Sequence, residues 1–239
     1  MFQRHESTML DRVFVALVPL ALLVVTGCPS LSTMQTPATV PKGALRVGMG
    51  LESLGFTQKD SEGISTNTFG QYELNARYGV TDNVDLGVKL YGIGIEVGGK
   101  YQFVKGDFEA AIAPAVSYVS LDLSIDGPKT TTGITYLHLP LLFGYKLVDS
   151  LELAFGPKAV YMIVVDSTIG SSNQSSVTST GFAAGGFASI QLRIGKAFWI
   201  APEINVYKPF DAGSGGVIWQ GGLVVLVGGA APAAIGPPP

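Results

Sequence analysis

The sequence predicts an all-β fold, a closed antiparallel up-and-down transmembrane β-barrel of about ten strands. Apolar and polar residues alternate strictly along a series of arms, which is the period of β-strands. Short turns at 81–83, 105–107, 148–150 and 195–197 alternate with longer polar loops at 55–68, 121–133, 166–180 and 208–216, as in membrane barrels. The apolar positions of the arms contain no Asp, Glu, Lys or Arg. The clearest stretch is 69–103, where three such arms follow one another with turns at 81–83 and 92–94.

Composition separates this chain from ordinary soluble domains and from helical membrane proteins. Charged residues make up 14% of the sequence, whereas soluble domains carry about 25%. A net charge of −3 gives no indication of nucleic-acid binding. No apolar run reaches the roughly 20 residues that a transmembrane helix needs. High apolar content without a long apolar run is typical of alternating membrane strands.

The beginning of the chain predicts a signal peptide over residues 1–27. Arg4 and Arg12 precede an apolar core at 13–25, after which small residues follow. Met9 is an alternative start, because Glu6 is unusual in the charged region of a signal peptide.

The end of this segment, Val25-Thr26-Gly27-Cys28, resembles the lipobox of bacterial lipoproteins. The resemblance implies that Cys28 is lipidated and becomes the first residue of the mature protein, bound for the outer membrane. Ordinary cleavage nearby, with Cys28 unmodified, is the alternative. Cys28 is the only cysteine, so the mature chain has no disulfide.

Three segments follow the signal peptide. Residues 28–43 are rich in Pro, Ser and Thr and predict a lipidated tether. Residues 44–227 contain the alternating arms and form the predicted barrel domain. Residues 228–239 predict a flexible tail of Gly, Ala and Pro.

The outward-facing aromatic residues fall into two sets, as the interfacial girdles of membrane barrels do. The set near the short turns is Tyr78, Tyr101, Phe103, Phe108, Phe143, Tyr145 and Phe198. The set toward the other end is Tyr72, Tyr118, Tyr161, Phe182 and Trp219. Core aromatics of a soluble sandwich would not sort by strand end, so the pattern favours a membrane barrel.

The inward faces carry acids and bases in equal number. The bases are Arg46, Arg77, Lys89, Lys100, Lys158 and Arg193, and the acids are Glu73, Asp85, Glu96, Glu109, Glu152 and Glu203. Charges in a narrow barrel are tolerated when they are paired, and a barrel of about eight strands is filled by its own side chains. We therefore expect a charge-paired interior. A narrow pore for ions or small solutes is the alternative.

Prolines are the feature that fits a closed barrel least well. Pro114, Pro140, Pro157 and Pro202 fall inside arms, where a proline removes a ladder donor. They predict bulges, bends or a gap in the wall.

The sequence gives little indication of catalysis. His138 is the only histidine of the mature chain, and no local nucleophile motif accompanies it. There is no metal-ligand spacing, phosphate loop or paired-carboxylate signature. We therefore predict that the protein is not an enzyme and has no metal or cofactor. A lipid hydrolase that depends on His138 is a minor alternative.

Two stretches resemble small outer-membrane β-barrel proteins of bacteria, the porin-like and OmpA-like group. They are RYGVTDNVDLG at 77–87, and LHLPLLFGYKL at 137–147 with LAFGPKAVYM at 153–162. The resemblance implies an outer-membrane location, contact with outer-membrane lipids and insertion by the barrel-insertion machinery, with a structural or narrow-channel role. The alternative is an outer-membrane-anchored lipoprotein whose soluble, lipocalin-like barrel binds an apolar ligand. That alternative requires the apolar faces to point inward.

Overall fold

The described part of the chain covers the predicted barrel and part of the segment before it. The computed structural model describes residues 30–59, 64–123, 129–169, 174–195, 197–210 and 216–229. The predicted signal peptide, Cys28 and most of the predicted tail lie outside the described residues.

Within the described residues the chain forms eleven β-strands in one sheet. They are β1 (Leu45–Lys59), β2 (Ile64–Gly79), β3 (Val84–Tyr91), β4 (Gly94–Val104), β5 (Phe108–Ile112), β6 (Ala115–Leu123), β7 (Lys129–Val148), β8 (Leu151–Ile169), β9 (Gln174–Ile194), β10 (Phe198–Pro209) and β11 (Val217–Gly228). None of the described residues lies in a helix long and apolar enough to cross a membrane.

The sheet closes into a barrel. The first and last strands, β1 and β11, pair with each other, and β3 pairs with β4. Both β5 and β6 lie between β4 and β7, so they are two halves of one wall strand. The eleven described strands therefore make a ring of 11 − 1 = 10 wall strands, and their pairings are antiparallel. The prediction of a closed up-and-down barrel of about ten strands is confirmed.

The alternation of the sequence becomes an apolar outer surface. Large apolar side chains at every second position are exposed, for example Leu86 at 55%, Val97 at 54% and Ile204 at 55%. Asp85 and Glu203, which precede Leu86 and Ile204, are buried, and so is Lys100, which precedes the exposed Tyr101. Because successive side chains of a strand point to opposite faces, the same alternation fills the lumen with polar groups. An apolar outside around a charged inside is the arrangement of a membrane-spanning barrel.

The strand prolines interrupt the ladders without opening the wall. Pro114 lies in the break between β5 and β6, and the register of β10 with β9 skips Ala201 and Pro202. The proline carbonyls are still used: the Gly99 amide donates to the oxygen of Pro114 at 3.0 Å, and the Ala113 amide donates to that of Pro140 at 3.2 Å. The prolines thus mark local gaps in a closed barrel.

The strands extend further than the alternation predicts. Loops were expected at 55–68, 121–133, 166–180 and 208–216, but β8 and β9 pair from Leu151↔Leu192 as far as Ile169↔Gln174. Ser and Thr residues in this region keep the pairing while the apolar alternation stops. The described parts of the expected loops at 55–68, 121–133 and 166–180 are therefore strand extensions beyond the apolar belt. We call the end of the barrel where they project the long-loop end, and the opposite end the short-turn end.

Candidate functional site

The lumen contains the start of the described chain. Residues 30–41, which we call the plug, run inside the barrel from the long-loop half down to the beginning of β1. Ser30, Ser32 and Val40 are buried. The sequence predicted a tether over 28–43, and the structure differs over residues 30–41, which pack against the wall. Their backbone groups find charged partners there, which compensates the cost of burying them.

At the long-loop end of the plug, wall cations bind its carbonyl oxygens. Lys158 donates from Nζ to the oxygen of Leu31 at 2.7 Å, and the Tyr207 hydroxyl donates to the same oxygen at 2.8 Å. Lys89 donates to the oxygen of Ser32 at 3.0 Å. The Ser32 hydroxyl in turn donates to the Glu73 carboxylate at 2.8 Å. Leu31 and Ser32, at the start of the plug, are therefore bound by residues from both sides of the lumen.

In the middle of the plug, one carboxylate receives two successive amides. The amides of Thr33 and Met34 each donate to a different oxygen of Glu203 at 2.6 Å. Asn205 also donates to this carboxylate, at 2.8 Å. Charge-assisted hydrogen bonds of this kind are the strong ones, so Glu203 is the main anchor of the plug.

At the short-turn end the pattern repeats with different residues. Lys100 donates to the carbonyls of Thr36 at 2.9 Å and Ala38 at 2.7 Å. The amides of Thr39 and Val40 donate to Gln102 at 3.1 Å and to Asp85 at 2.9 Å. The wall thus binds the plug over its whole length.

Six of the predicted inward charges form two networks on the β2–β4 wall. Asp85 contacts Arg77 and lies 3.3 Å from Lys100. Lys89 lies 3.7 Å from Glu73 and 3.4 Å from Glu96, measured from Nζ to carboxylate oxygen. In these networks each buried charge faces an opposite one, as a low-dielectric interior requires.

The other predicted charges are distributed around the lumen. Arg46 and Arg193 lie near the short-turn end and flank the Trp199 ring, each 5.5 Å from its centroid, and Arg193 is exposed. Glu109 and Glu152 are buried. Glu109 pairs with Lys146, a residue that the sequence analysis did not single out, at 2.5 Å.

Three apolar clusters share the lumen with these charges. The largest lies toward the long-loop end and consists of Leu31, Leu54, Tyr91, Val119, Tyr136, Val160 and Tyr207. A second contains Ala111, Leu142, Ala154 and Phe187, and a third places Met34 against Ala201, Val224 and Leu226. The alternation had suggested a mainly ionic interior, but these inward positions are apolar. The apolar clusters therefore fill part of the lumen beside the charged networks.

Glu52 is a buried acid outside the predicted set. Its carboxylate accepts hydrogen bonds from the amides of Gln71 and Gln220. Glu52 alternates with outward Leu51, so its position in the pattern already indicated an inward side chain.

His138 has a partner that the sequence did not suggest. Its Nε2 lies 2.8 Å from the Ser117 hydroxyl and 3.6 Å from Glu96. A catalytic triad needs the acid on the opposite ring nitrogen from the serine, whereas here both contact Nε2. Ser117 is 1% exposed. The arrangement fits a structural hydrogen bond and not an activated nucleophile.

The described residues contain no candidate metal site. No three His, Cys, Asp or Glu side chains among them form a group that could hold a metal ion.

The predicted girdle residues lie on the outer surface. Those classed as exposed are Tyr78, Tyr101, Phe103, Phe108, Tyr145, Phe198, Tyr118, Tyr161 and Phe182. Phe143, Tyr72 and Trp219 are partly buried. The rings of Phe108 and Phe143 stack with their centroids 6.2 Å apart. Trp219 donates from its indole nitrogen to the Thr57 hydroxyl at 3.3 Å.

The fold and the lumen together define a class of protein, a transmembrane β-barrel filled by its own charged residues and amino-terminal segment. The lipocalin-like alternative is not supported, because the alternating apolar side chains point outward.

Comparison with known proteins gives matches only among solved structures. No family model and no curated protein matches the sequence. The chain is similar to Ail, the attachment invasion locus protein of Yersinia pestis, at 12% identity and a TM-score of 0.39, covering 78% of this chain and 99% of that chain. It is similar to Neisserial surface protein A at 9% identity and a TM-score of 0.41, with the same coverage. It is also similar to the outer membrane protease OmpT of Escherichia coli at 9% identity and a TM-score of 0.45, covering 82% and 98%.

Proposed function

We propose that the protein is an outer-membrane β-barrel whose lumen is closed by its own amino-terminal segment. It serves the cell envelope as a structural element and not as an open channel. The observation that carries this proposal is the plug, held by wall residues along its whole length. The apolar outer belt and the predicted signal peptide support the outer-membrane location. We further propose that the barrel-insertion machinery inserts it and that outer-membrane lipids surround it.

We also propose that Cys28 carries a lipid. The segment Val25-Thr26-Gly27-Cys28 resembles the lipobox of bacterial lipoproteins, in which the cysteine is the lipidated residue.

The test compares the wild-type protein with the Cys28→Ala variant. We expect both to remain in the membrane fraction after carbonate extraction, and both to give a band that shifts on heating in detergent gels, because the barrel spans the membrane. We expect only the wild type to incorporate labelled fatty acid. Reconstituted into liposomes, neither should release a small trapped solute faster than protein-free liposomes do.

Each part of the proposal can fail separately. Carbonate extraction of the Cys28→Ala variant would contradict a spanning barrel. Rapid solute release from liposomes containing the wild type would contradict a closed lumen. Equal fatty-acid labelling of both proteins would contradict lipidation at Cys28.

A further inference from the structure

We propose that the lumen is a receptor for a short, bent, uncharged peptide that carries two larger apolar residues, with the plug as its resident ligand. The proposal rests on the closed lumen argued above. It goes further because it assigns a binding specificity to the wall. A separate peptide of the same chemistry would also bind.

Side chains of the wall bind the main-chain groups of the plug. Within the described residues, these side chains bind the carbonyls of Leu31, Ser32, Thr36 and Ala38 and the amides of Thr33, Met34, Thr39 and Val40. Lysines meet the carbonyls, while Glu203, Asp85 and Gln102 meet the amides. Main-chain contacts depend little on side-chain identity, so the site selects a backbone with the bent course of the plug, in which Met34 has a φ of +41°.

Two of the wall charges, Lys158 and Glu203, make no ion pair within 4 Å among the described residues and attract each other only over a longer distance. Lys158 binds the carbonyls of Leu31 and Ser32, and Glu203 binds amides of the plug and of Asn205. Removing the plug would leave both charges buried without most of their hydrogen bonds, which is costly.

The lumen has space for two large apolar side chains of the plug, Leu31 and Met34. Leu31 packs in the cluster with Tyr91 and Tyr207. A Cβ atom on Gly222 would lie 2.2 Å from the Met34 side chain, so the wall keeps a glycine where Met34 sits. The other plug residues are Ser, Thr, Gln, Pro, Ala and Val. The ligand class is accordingly an uncharged peptide with apolar residues three positions apart.

The experiment begins with the complete, folded protein. A specific protease site is inserted between Lys42 and Gly43, where Lys42 is exposed, and the chain is cut after folding. The released segment is expected to remain with the barrel during gel filtration in mild detergent. A labelled synthetic peptide of residues 30–41 in excess is expected to replace it.

Two matched peptides test the mode of recognition. N-methylation at Met34 removes the amide that donates to Glu203 but retains the side chain, and a charge-assisted hydrogen bond contributes about 1.5–3 kcal/mol. That peptide should bind at least about tenfold more weakly. The Gln35→Ala peptide keeps its backbone and loses a partly buried side chain whose oxygen has no hydrogen-bond partner among the described residues, so it should compete as well as the original peptide.

The outcomes separate this proposal from the proposed function. A barrel that already leaks in liposomes before cutting would mean that the lumen is not closed. A barrel that is tight before cutting but loses the segment afterwards would overturn the receptor proposal alone. Equal binding of the N-methylated and original peptides would overturn main-chain recognition.

Discussion

Replacing Lys89 with methionine is expected to lower the free energy of unfolding by about 3–5 kcal/mol, the cost of breaking a buried ion pair from one side. Its ammonium lies 3.7 Å from Glu73 and 3.4 Å from Glu96, and it also donates to the carbonyl of Ser32 at 3.0 Å. Glu73 is 0% exposed, so water cannot replace the lost cation. Urea-induced unfolding in lipid vesicles measures the change.

The control for this prediction is Lys105→Met. Lys105 is exposed in the turn between β4 and β5 and donates to the carbonyl of Asp82, so its loss should change stability by no more than about 0.5 kcal/mol. Adding Glu73→Gln to Lys89→Met should recover part of the loss, since the uncompensated charge is then removed. Equal stability of the two methionine variants would show that the Lys89 network does not support the barrel.

Leu139→Arg is expected to destabilise the membrane-inserted barrel by about 2–4 kcal/mol, the cost of a cationic side chain at mid-membrane. Leu139 lies on the outer face of β7 between the two aromatic sets. The same substitution at Leu147, on the same face next to the short turn, should cost no more than about 1 kcal/mol. The two leucines are matched, with exposed fractions of 49% and 48%. Unfolding titrations in vesicles compare the two variants.

This pair tests the depth of the membrane and not only the presence of an apolar patch. If the outer surface faced water, both arginines would be tolerated equally. An equal cost at the two positions would therefore argue against hydrocarbon around the middle of β7.

The strands of the barrel wall could be predicted from the sequence, because the pattern that indicates them lies within short stretches of the chain. The alternation of Leu86, Val88 and Leu90 with Asp85 and Lys89 determines which face each side chain occupies. The turns at 81–83 and 105–107 then determine which strands lie next to each other in the sheet. The strand extensions beyond the apolar belt were missed, because Ser and Thr residues continue the pairing without apolar alternation.

The contents of the lumen could not be predicted in the same way. Residues 30–41 carry no periodic pattern, and their Pro, Ser and Thr content is that of a linker. Their position depends on distant partners: Glu203 lies 170 residues from Thr33 along the chain. The inward charges gave no signal for these contacts, because Lys158 and Glu203 belong to a set of six acids and six bases that could all pair with one another. The contact between Ser117 and His138 could likewise not be predicted, because it depends on the pairing of β6 with β7.

Thiol accessibility tests most directly whether the amino-terminal segment occupies the lumen. In a Cys28→Ala background, which has no other cysteine, Met34→Cys and Lys42→Cys are treated with a water-soluble maleimide. Met34 is 4% exposed, whereas Lys42 is exposed just outside the plug. The account predicts that Lys42→Cys reacts at once, and that Met34→Cys reacts only after the heat shift of the gel band shows unfolding. Labelling of Met34→Cys in the folded barrel at the rate of Lys42→Cys would contradict it.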